Sequence, residues 1–326
     1  MIKVLELFGG IGACSKALKR LNVDYELVDY VEINDDAVRS FNAIHDKNFE
    51  PQDICKWDKD IKVDLIMHGS PCQDFSSAGK QLGGEKNSGT RSSLIYETIR
   101  IVNKLRPKYV IWENVKNSLV NPHRKVVDDY IDQLSKLGYV SSLKLTCASY
   151  YGIPQERQRV ICISILNGEE FIFPKETIKA NNLENFIDFR DKDDITNSFY
   201  NRYKSKIDAN ATLEDFCKYI QDLPIRRGVG TKKMGLYDFN EMDTITLPMG
   251  ICGTLSCRNV QNYNKKFWYN NRLYKPSPRM CWRLMGFDDM DFQKASAVNN
   301  DIALYNQAGN SIVVNVLQAI FKELLC

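Results

Sequence analysis

The fold is decided near the start of the chain by the stretch Lys3-Val4-Leu5-Glu6-Leu7-Phe8-Gly9-Gly10-Ile11-Gly12. Its apolar residues predict a short buried strand over Val4–Phe8, and helical spacing of apolar residues follows over Ala13–Leu21. The glycines between them form a turn at which the backbone can approach a ligand closely. This order of strand, glycine turn and helix predicts the first unit of an α/β sheet.

The same alternation continues to about residue 165. Strands are predicted at residues 25–31, 63–68, 109–112 and 160–165, and helices at residues 35–44, 93–105 and 126–137. Strands that alternate with helices imply a mostly parallel sheet covered on both faces. Residues 168–272 break this rhythm, whereas an apolar helical stripe returns after Ser311. We therefore predict a Rossmann-like α/β domain, residues 1–167 and 273–326, with a smaller domain, residues 168–272, inserted into it.

Composition excludes several classes of protein. The 326 residues are 44% hydrophobic but contain no apolar run long enough to span a membrane, and the first residues lack a signal-peptide pattern. We therefore expect a cytoplasmic protein without membrane contacts. The ten cysteines are scattered and form no C-x-x-C pair, which argues against disulfides and zinc. No metal is expected.

Charge is distributed unevenly along the chain. The net charge is +3, but residues 168–224 carry 8 Lys and Arg against 12 Asp and Glu, and residues 225–275 carry 9 against 3. A local basic surface is typical of phosphate binding. A solvated face with uneven charge is the alternative, and this count alone does not decide between them.

Two acidic positions suggest a nucleoside site beside the glycine turn. Glu32 ends the second predicted strand, where a carboxylate can accept hydrogen bonds from both ribose hydroxyls. Asp53, followed by Ile54, could end a third strand and accept from an adenine amino group, with Ile33 and Ile54 against the ring. NAD would also fit, but Ser15 stands where a dinucleotide fingerprint has its third glycine.

A nucleophile and an acid follow two consecutive strands. Cys72, within Pro71-Cys72-Gln73, lies just past the 63–68 strand, where open α/β sheets place their sites. Thiolate is an intrinsically strong nucleophile. The glycine-rich segment Ser76–Arg91 is interpreted as a lid. Glu113 ends the next strand and is a candidate acid within reach of the same substrate. Read singly, each could be an ordinary loop thiol or surface carboxylate.

Two arginines precede the 160–165 strand. Arg157 and Arg159 would point to one face of an extended chain and suit an anion or a developing charge. A basic strand edge is the plainer alternative.

Taken together, these segments resemble the ordered motif set of the DNA cytosine-C5 methyltransferase family, of bacterial or phage type. The resemblance rests on Phe8–Gly12, Glu32, Asp53-Ile54, Pro71-Cys72-Gln73, Glu113-Asn114-Val115, Gln155–Arg159, Arg279–Gly286 and Gln307–Ser311. It covers roughly residues 1–166 and 272–326, and the complete series is very specific.

The resemblance implies roles for four catalytic residues. Cys72 would add to C6 of cytosine, and Glu113 would supply a proton or hydrogen bond to N3. Arg159 would hold O2 of the base, with Arg157 in support. The cofactor would be S-adenosylmethionine, bound by the main domain. The implied cofactor contacts are Phe8, Gly10, Gly12, Glu32, Ile33, Asp53, Ile54, Pro71, Leu94, Asn310, Ser311 and Ile312. Ile33 departs from the aromatic residue common in the family and offers adenine less area.

The implied partner is double-stranded DNA, with the target cytosine flipped out of the helix. The inserted domain would be the target-recognition domain. Gly253-Thr254-Leu255 resembles the short Thr-Leu element of such domains, and Thr246-Leu247 is a second candidate. The predicted DNA contacts are Gln73, Ser76, Arg226, Arg227, Lys232, Lys233, Thr254, Arg258, Lys265 and Lys266.

Three rival functions are weaker. The tRNA-methylating branch of the family usually has Pro-Pro-Cys and Cys-Phe-Thr elements, which are lacking here. A non-catalytic relative would lack the cysteine or the glutamate, and a dehydrogenase would bind NAD. We expect a monomer in a bacterial or phage-infected cell. The sequence leaves open the DNA site and the choice between a partner of a restriction endonuclease and an orphan or phage enzyme.

Overall fold

The computed structural model describes residues 1–71, 94–177, 179–180, 182–187, 193–208, 210–226, 230–234, 244–255 and 265–326. Contacts divide the chain into two compact units. The first contains Met1–Cys147, Gln158–Glu176 and Ser311–Cys326, and the second contains Ala148–Arg157 and Thr177–Asn310. The predicted catalytic and target-recognition domains are defined by function, whereas the two units are defined by contacts, so the predicted domain boundaries stay predictions. They differ from the two units chiefly over residues 273–310.

The regular elements are numbered in chain order. The strands are β1 (Ile2–Leu7), β2 (Tyr25–Val31), β3 (Leu65–His68), β4 (Tyr109–Val115), β5 (Tyr139–Cys147), β6 (Gln155–Glu156), β7 (Gln158–Leu166), β8 (Thr231–Lys233), β9 (Thr244–Thr246), β10 (Cys252–Gly253), β11 (Lys266–Tyr269) and β12 (Arg272–Tyr274). The helices are α1 (Ala13–Arg20), α2 (Asp35–His45), α3 (Ile95–Leu105), α4 (Arg124–Lys136), α5 (Thr196–Ile207), α6 (Leu213–Asp222), α7 (Pro278–Arg283), α8 (Asp289–Ser296), α9 (Asp301–Asn310) and α10 (Val314–Leu325).

A six-stranded sheet in the order β2-β1-β3-β4-β7-β5 forms the centre of the first unit. The pairs among β1, β2, β3 and β4 are parallel, and β7 runs antiparallel to both of its neighbours. This confirms the predicted mostly parallel α/β sheet. The carboxyl ends of β1–β4 and the start of β7 therefore meet at one edge, where Glu32, Pro71, Glu113 and Arg159 lie.

The sheet is covered on both faces. Val31 packs in the large core with Ile99 of α3 and Val127 of α4. Its neighbour Tyr30 packs on Phe41 of α2, with ring centroids 3.8 Å apart. Successive residues of a strand point to opposite faces, so these two contacts place helices on both sides of the sheet.

The last helix packs against the first. Leu317 and Phe321 of α10 are fully buried, and α10 contacts α1. The Arg20 guanidinium donates to the side-chain oxygen of Gln318 at 3.4 Å. As predicted from its apolar stripe, the C-terminal helix returns to the first unit.

One local expectation was wrong, and one strand was missed. Asp53 does not end a strand: it caps a 3-10 turn, Ile54–Lys56, by accepting a hydrogen bond from the Cys55 amide. Such local bonds from an aspartate compete with strand pairing. Strand β5 was not predicted, because polar residues such as Ser142 and Lys144 interrupt any apolar run along this edge strand.

The second unit contains a four-stranded sheet, β12-β11-β9-β8, and a two-stranded pair, β10-β6. Phe216 and Ile220 of α6 pack with Trp268 of β11 in a small core. The sequence signalled α6 through a capping box in which Thr212 and Asp215 bond each other's backbone, and this signal was overlooked. In the parts of both units that the structure describes, no helix is long and apolar enough to cross a membrane.

Candidate active site

The glycine turn between β1 and α1 adopts a backbone that side chains would obstruct. Gly12 has a φ of 80°, and a Cβ there would lie 2.3 Å from the His45 ring. Gly10 has a φ of 54°, but nothing lies within 4 Å of the position of its Cβ. The turn is therefore fixed at Gly12 and leaves open space at Gly10.

Glu32 faces this turn from the end of β2. Its carboxylate accepts hydrogen bonds from the Gly10 amide at 3.1 Å and the Asn34 amide at 2.9 Å. Burial raises the pKa of Glu32 above its ordinary value, although these backbone bonds oppose the shift. Ile33, the next residue, is 68% exposed. An acceptor and an open apolar surface thus adjoin the glycine turn.

The other predicted cofactor residues belong to the first unit, except Asn310, which belongs to the second. Ile54 is 5% exposed and belongs to the large core, on which Phe8 and Leu94 also pack. The Ser311 hydroxyl donates to the Ile312 carbonyl at 3.1 Å, whereas the preceding Asn310 is exposed at the end of α9.

Two hydrogen bonds from β4 hold Ser70, which follows the end of β3. The Trp112 indole donates to the Ser70 hydroxyl at 3.0 Å, and the Asn114 amide donates to the Ser70 carbonyl at 3.2 Å. Ser70 is 4% exposed. Sequence reasoning quoted Asn114 without giving it a role and overlooked Ser70 and Trp112. These bonds fix the backbone that leads into Pro71.

Three predicted residues of the following segment, Cys72, Gln73 and Ser76, lie outside the described residues. So do Arg227 and Arg258 of the predicted DNA surface. Their roles stay predictions.

Glu113 and Arg159 meet at the same edge of the sheet. The carboxylate of Glu113 lies 3.1 Å from the Arg159 Nε, and Glu113 is 8% exposed. A Cβ on Gly69 would lie 3.7 Å from the other carboxylate oxygen and 3.8 Å from Ile312. The predicted acid thus adjoins the backbone after β3, with a guanidinium that balances its charge.

Arg157 has different partners from Arg159. It is 2% exposed, and its guanidinium donates to the carbonyls of Leu255 at 3.2 Å and Gly309 at 2.9 Å. Both partners lie in the second unit, as does Arg157. These bonds fit a supporting role.

The two Thr-Leu elements differ in their surroundings. Thr254 donates to the Glu156 carbonyl at 2.6 Å, and the Leu255 amide donates to the Gln155 side chain at 3.0 Å. Gly253-Thr254-Leu255 is therefore fastened to the Gln155–Arg157 motif. Thr246 is 4% exposed within the sheet of the second unit.

Three lysines predicted to contact DNA are buried, which corrects that prediction. Lys232 is 6% exposed and donates to the carbonyls of Ile220 and Gln221 at the end of α6. Lys265 is 6% exposed, and Lys266 is 1% exposed with its ammonium 5.3 Å from the Phe199 ring centroid. A count of charges does not distinguish such buried lysines from solvated ones. Of the other candidates, Arg226 is exposed and Lys233 is half-buried.

Glu6 is a buried carboxyl group that the sequence did not single out. It is 1% exposed on β1 and accepts hydrogen bonds from the amide and the hydroxyl of Ser15 in α1. Burial raises the pKa of Glu6 to about 7, although the bonds from Ser15 oppose the shift. Ser15, which weakened the NAD interpretation, thus fastens the start of α1 to the sheet.

We expect the free energy of unfolding of the wild type, relative to Glu6→Gln, to fall by about 3 kcal/mol as pH rises from 4.5 to 7. The raised pKa means that the folded chain binds this proton more tightly than the unfolded chain. Its stabilising contribution is complete below the unfolded value of 4.5 and is lost as pH rises through 7. Urea titrations at several pH values measure this difference. The exposed Glu26, changed to Gln, is the control, and a difference independent of pH would contradict the expectation.

In the described residues, no group of three or more His, Cys, Asp or Glu side chains is arranged to hold a metal ion. The described part of the site provides a carboxyl group, a guanidinium and the glycine turn.

Known proteins match this chain over nearly its whole length. The family model for C-5 cytosine-specific DNA methylase matches residues 2–326. The type II methyltransferase M2.ScrFI of Lactococcus lactis subsp. cremoris is 30% identical, over 99% of this chain and 99% of its own. The orphan methyltransferase M.SPRI of Bacillus phage SPR is 27% identical, over 99% of this chain and 97% of its own. The solved structure of S. pombe Dnmt2 methyltransferase, 18% identical, has the same fold, with a TM-score of 0.70 over 100% of both chains.

Proposed function

Because the chain belongs to the C-5 cytosine-specific DNA methylase family and is a DNA cytosine-5-methyltransferase, we propose that it methylates a cytosine flipped out of a specific double-stranded DNA site through a covalent bond between Cys72 and C6. The observation that carries this proposal is the position of Glu113. This carboxylate pairs with Arg159 beside Gly69, three residues before Cys72 in the chain.

The proposed chemistry overcomes the weak nucleophilicity of cytosine C5. The Cys72 thiolate forms a bond to C6, while Glu113 gives a proton or hydrogen bond to N3. The ring electrons then make C5 nucleophilic, and C5 would take the methyl group from the sulfonium of the bound cofactor, whose sulfur would leave as a neutral thioether. Loss of the C5 proton to a base and cleavage of the S–C6 bond restore the aromatic ring and the free cysteine. Arg159 would hold O2 of the base and keep Glu113 oriented.

The residues around the glycine turn fit S-adenosylmethionine. The open space at Gly10 leaves room for a ligand, the Glu32 carboxylate has lone pairs for ribose hydroxyls, and exposed Ile33 offers a surface to adenine. Asp53 would accept from the adenine amino group. When bound, the cofactor supplies an electrophilic methyl group on a sulfonium ion. Further contacts are proposed from Phe8, Gly12, Ile54, Pro71, Leu94, Asn310, Ser311 and Ile312.

DNA contacts are proposed from the target-recognition domain and from Gln73 and Ser76. We propose Gly253-Thr254-Leu255 as its Thr-Leu element, because Thr254 and Leu255 bond the Gln155–Arg157 motif. A cognate restriction endonuclease is a proposed partner, since M2.ScrFI is named a type II enzyme. The orphan name of the phage relative gives the alternative.

We expect a duplex with 5-fluorocytosine at the target to form an adduct with the wild type that survives denaturation. Fluorine cannot leave as a proton does, so elimination stalls after methyl transfer. Bisulfite sequencing of DNA from cells that express the chain locates the site, and mass spectrometry of the trapped complex locates the modified residue. Cys72→Ser and a tRNA substrate are the controls. Methylation of DNA without any adduct would contradict C6 attack, and methylation of tRNA alone would contradict the DNA substrate.

The correction of the lysines leaves Arg226 and Lys233 as testable DNA contacts. Lys233→Ala should weaken binding to all duplexes and flatten the log–log salt dependence by about one, because one fewer counterion is released. Arg226→Ala should cost about 1–3 kcal/mol mainly on the cognate site if it contacts a base. Binding is measured on cognate and scrambled duplexes across a salt series, with exposed Lys322→Ala on α10 as the control. Variants indistinguishable from this control would exclude both residues from the DNA surface.

A further inference from the structure

A buried carboxylate in β2 accepts four hydrogen bonds. Asp29 is 3% exposed, and its oxygens accept from the Tyr30 amide at 3.0 Å and the Gln52 amide group at 3.1 Å. They also accept from the Trp57 indole at 2.7 Å and lie 2.8 Å from the Lys59 ammonium. Three of these four donors come from one segment, residues 52–59.

Residues 52–59 contain little regular structure that could fix their position. Their regular part is the short 3-10 turn Ile54–Lys56. Ile54 and Trp57 pack in the large core, and the Lys104 ammonium donates to the Asp58 carbonyl at 2.9 Å. At the start of the segment, Gln52 donates to the carbonyls of Tyr30 and Glu32, at 2.7 and 2.8 Å. From α3, the Arg100 guanidinium donates to the carbonyls of Ile54 at 3.0 Å and Trp57 at 2.8 Å.

The segment and the strand carry the two acidic residues of the proposed cofactor site. Asp53 lies within the segment, next to Gln52, and Glu32 lies at the end of β2, three residues after Asp29. The bonds of Asp29 therefore join the chain that bears Asp53 to the strand that bears Glu32. Burial tends to raise the pKa of Asp29, but the hydrogen bonds from Lys59, Trp57 and Gln52 outweigh it and hold the pKa below its ordinary value.

We infer that Asp29 is a positioning residue for adenine recognition: it holds the segment of Asp53 against β2, so that Asp53 meets the adenine amino group while Glu32 holds the ribose. This inference rests on the proposed function, because it assumes that Asp53 and Glu32 bind the cofactor. In this role Asp29, which is 3% exposed, acts through Asp53 rather than by contact with the ligand. Substitution of Asp29 should therefore weaken the contact between Asp53 and the adenine amino group and leave the ribose contact of Glu32 unchanged.

The test compares ligands that differ by one group. Calorimetry measures binding of S-adenosylhomocysteine, of its analogue with hydrogen in place of the adenine amino group, and of its 2′-deoxy analogue. In the wild type, loss of the amino group should weaken binding about tenfold, the value of one hydrogen bond. In Asp29→Asn this amino-group preference should nearly vanish, whereas the penalty for losing the 2′-hydroxyl should stay.

Two further variants allow the inference to be tested even if the Asp29→Asn protein does not fold. Lys59→Met and Trp57→Phe each remove one donor to Asp29 and should reduce the amino-group preference by smaller factors. Asp64→Asn is the matched control, because its carboxylate also holds a neighbouring strand, through the Lys3 amide at 2.9 Å, at the opposite end of the sheet. This variant should keep both preferences.

The outcomes separate the inference from its premise. An Asp29→Asn protein that retains the full amino-group preference, or loses affinity equally for all three ligands, overturns the positioning role. A folded wild type that binds none of the ligands, or binds them without preference for the amino group, instead overturns the proposed adenosine contacts.

Discussion

Serine in place of Cys72 is expected to lower methyl transfer by more than about 10³-fold, while binding of S-adenosylhomocysteine and duplex DNA stays near the wild-type level. A hydroxyl is far less ionised and far less nucleophilic than a thiol, so addition to C6 should fail although the side chains have nearly the same size. Methyl transfer from radiolabelled cofactor under single-turnover conditions measures the chemical step, and calorimetry measures both ligands.

Cys326→Ser is the matched control for this experiment, because Cys326 is an exposed cysteine that follows α10 and lies outside the proposed site. It should transfer methyl groups at the wild-type rate. Near wild-type transfer by Cys72→Ser would exclude covalent attack by this residue, and loss of cofactor binding would show that the substitution disturbs the fold.

Glutamine in place of Glu113 is expected to slow methyl transfer by about 10²–10⁴-fold, the usual contribution of a general acid. The amide can still donate a hydrogen bond to N3 but cannot deliver a proton to it. The substitution also removes the negative charge of the Glu113 carboxylate, which lies 3.1 Å from the Arg159 Nε. Formation of the 5-fluorocytosine adduct should slow by a similar factor, because protonation at N3 assists addition of the thiolate.

The exposed Glu26, changed to Gln, is the control and should leave the rate unchanged. Thermal unfolding separates the two roles that Glu113 has in this site. If Glu113→Gln lowers the unfolding temperature but changes the rate less than twofold, Glu113 is only a structural partner of Arg159.

The sheet and its edge were predictable because the relevant signals are local. Apolar runs that end in Gly69, in Glu113 or at the glycine turn showed where strands stop, and parallel strands bring such ends together. The 3.1 Å pair of Glu113 and Arg159 then follows from the antiparallel register of β4 and β7. That register was not predictable. The direction of β7 depends on its pairing with β5, and the polar residues of β5 gave no apolar run from which this strand could be predicted.

The second unit was harder to predict because burial does not follow from charge. Lys266 and Lys232 contribute to the basic stretch of the sequence, yet one packs over Phe199 and the other bonds the end of α6. Both positions depend on contacts across the unit, which no local pattern shows. The network of Asp29 escaped prediction for the same reason, because three of its four donors lie 23 to 30 residues away in the sequence.

The packing of α10 on α1 has a consequence for biosynthesis. The buried side of α1 leaves the ribosome early, but its partner helix begins only at Val314. During translation of all the intervening residues, the nascent chain carries an apolar helix face without the helix that covers it. Contacts over such sequence separations form slowly. A translating ribosome must therefore synthesise all the residues between α1 and α10 before this layer of the sheet can close, and chaperones have that interval in which to engage the uncovered helix.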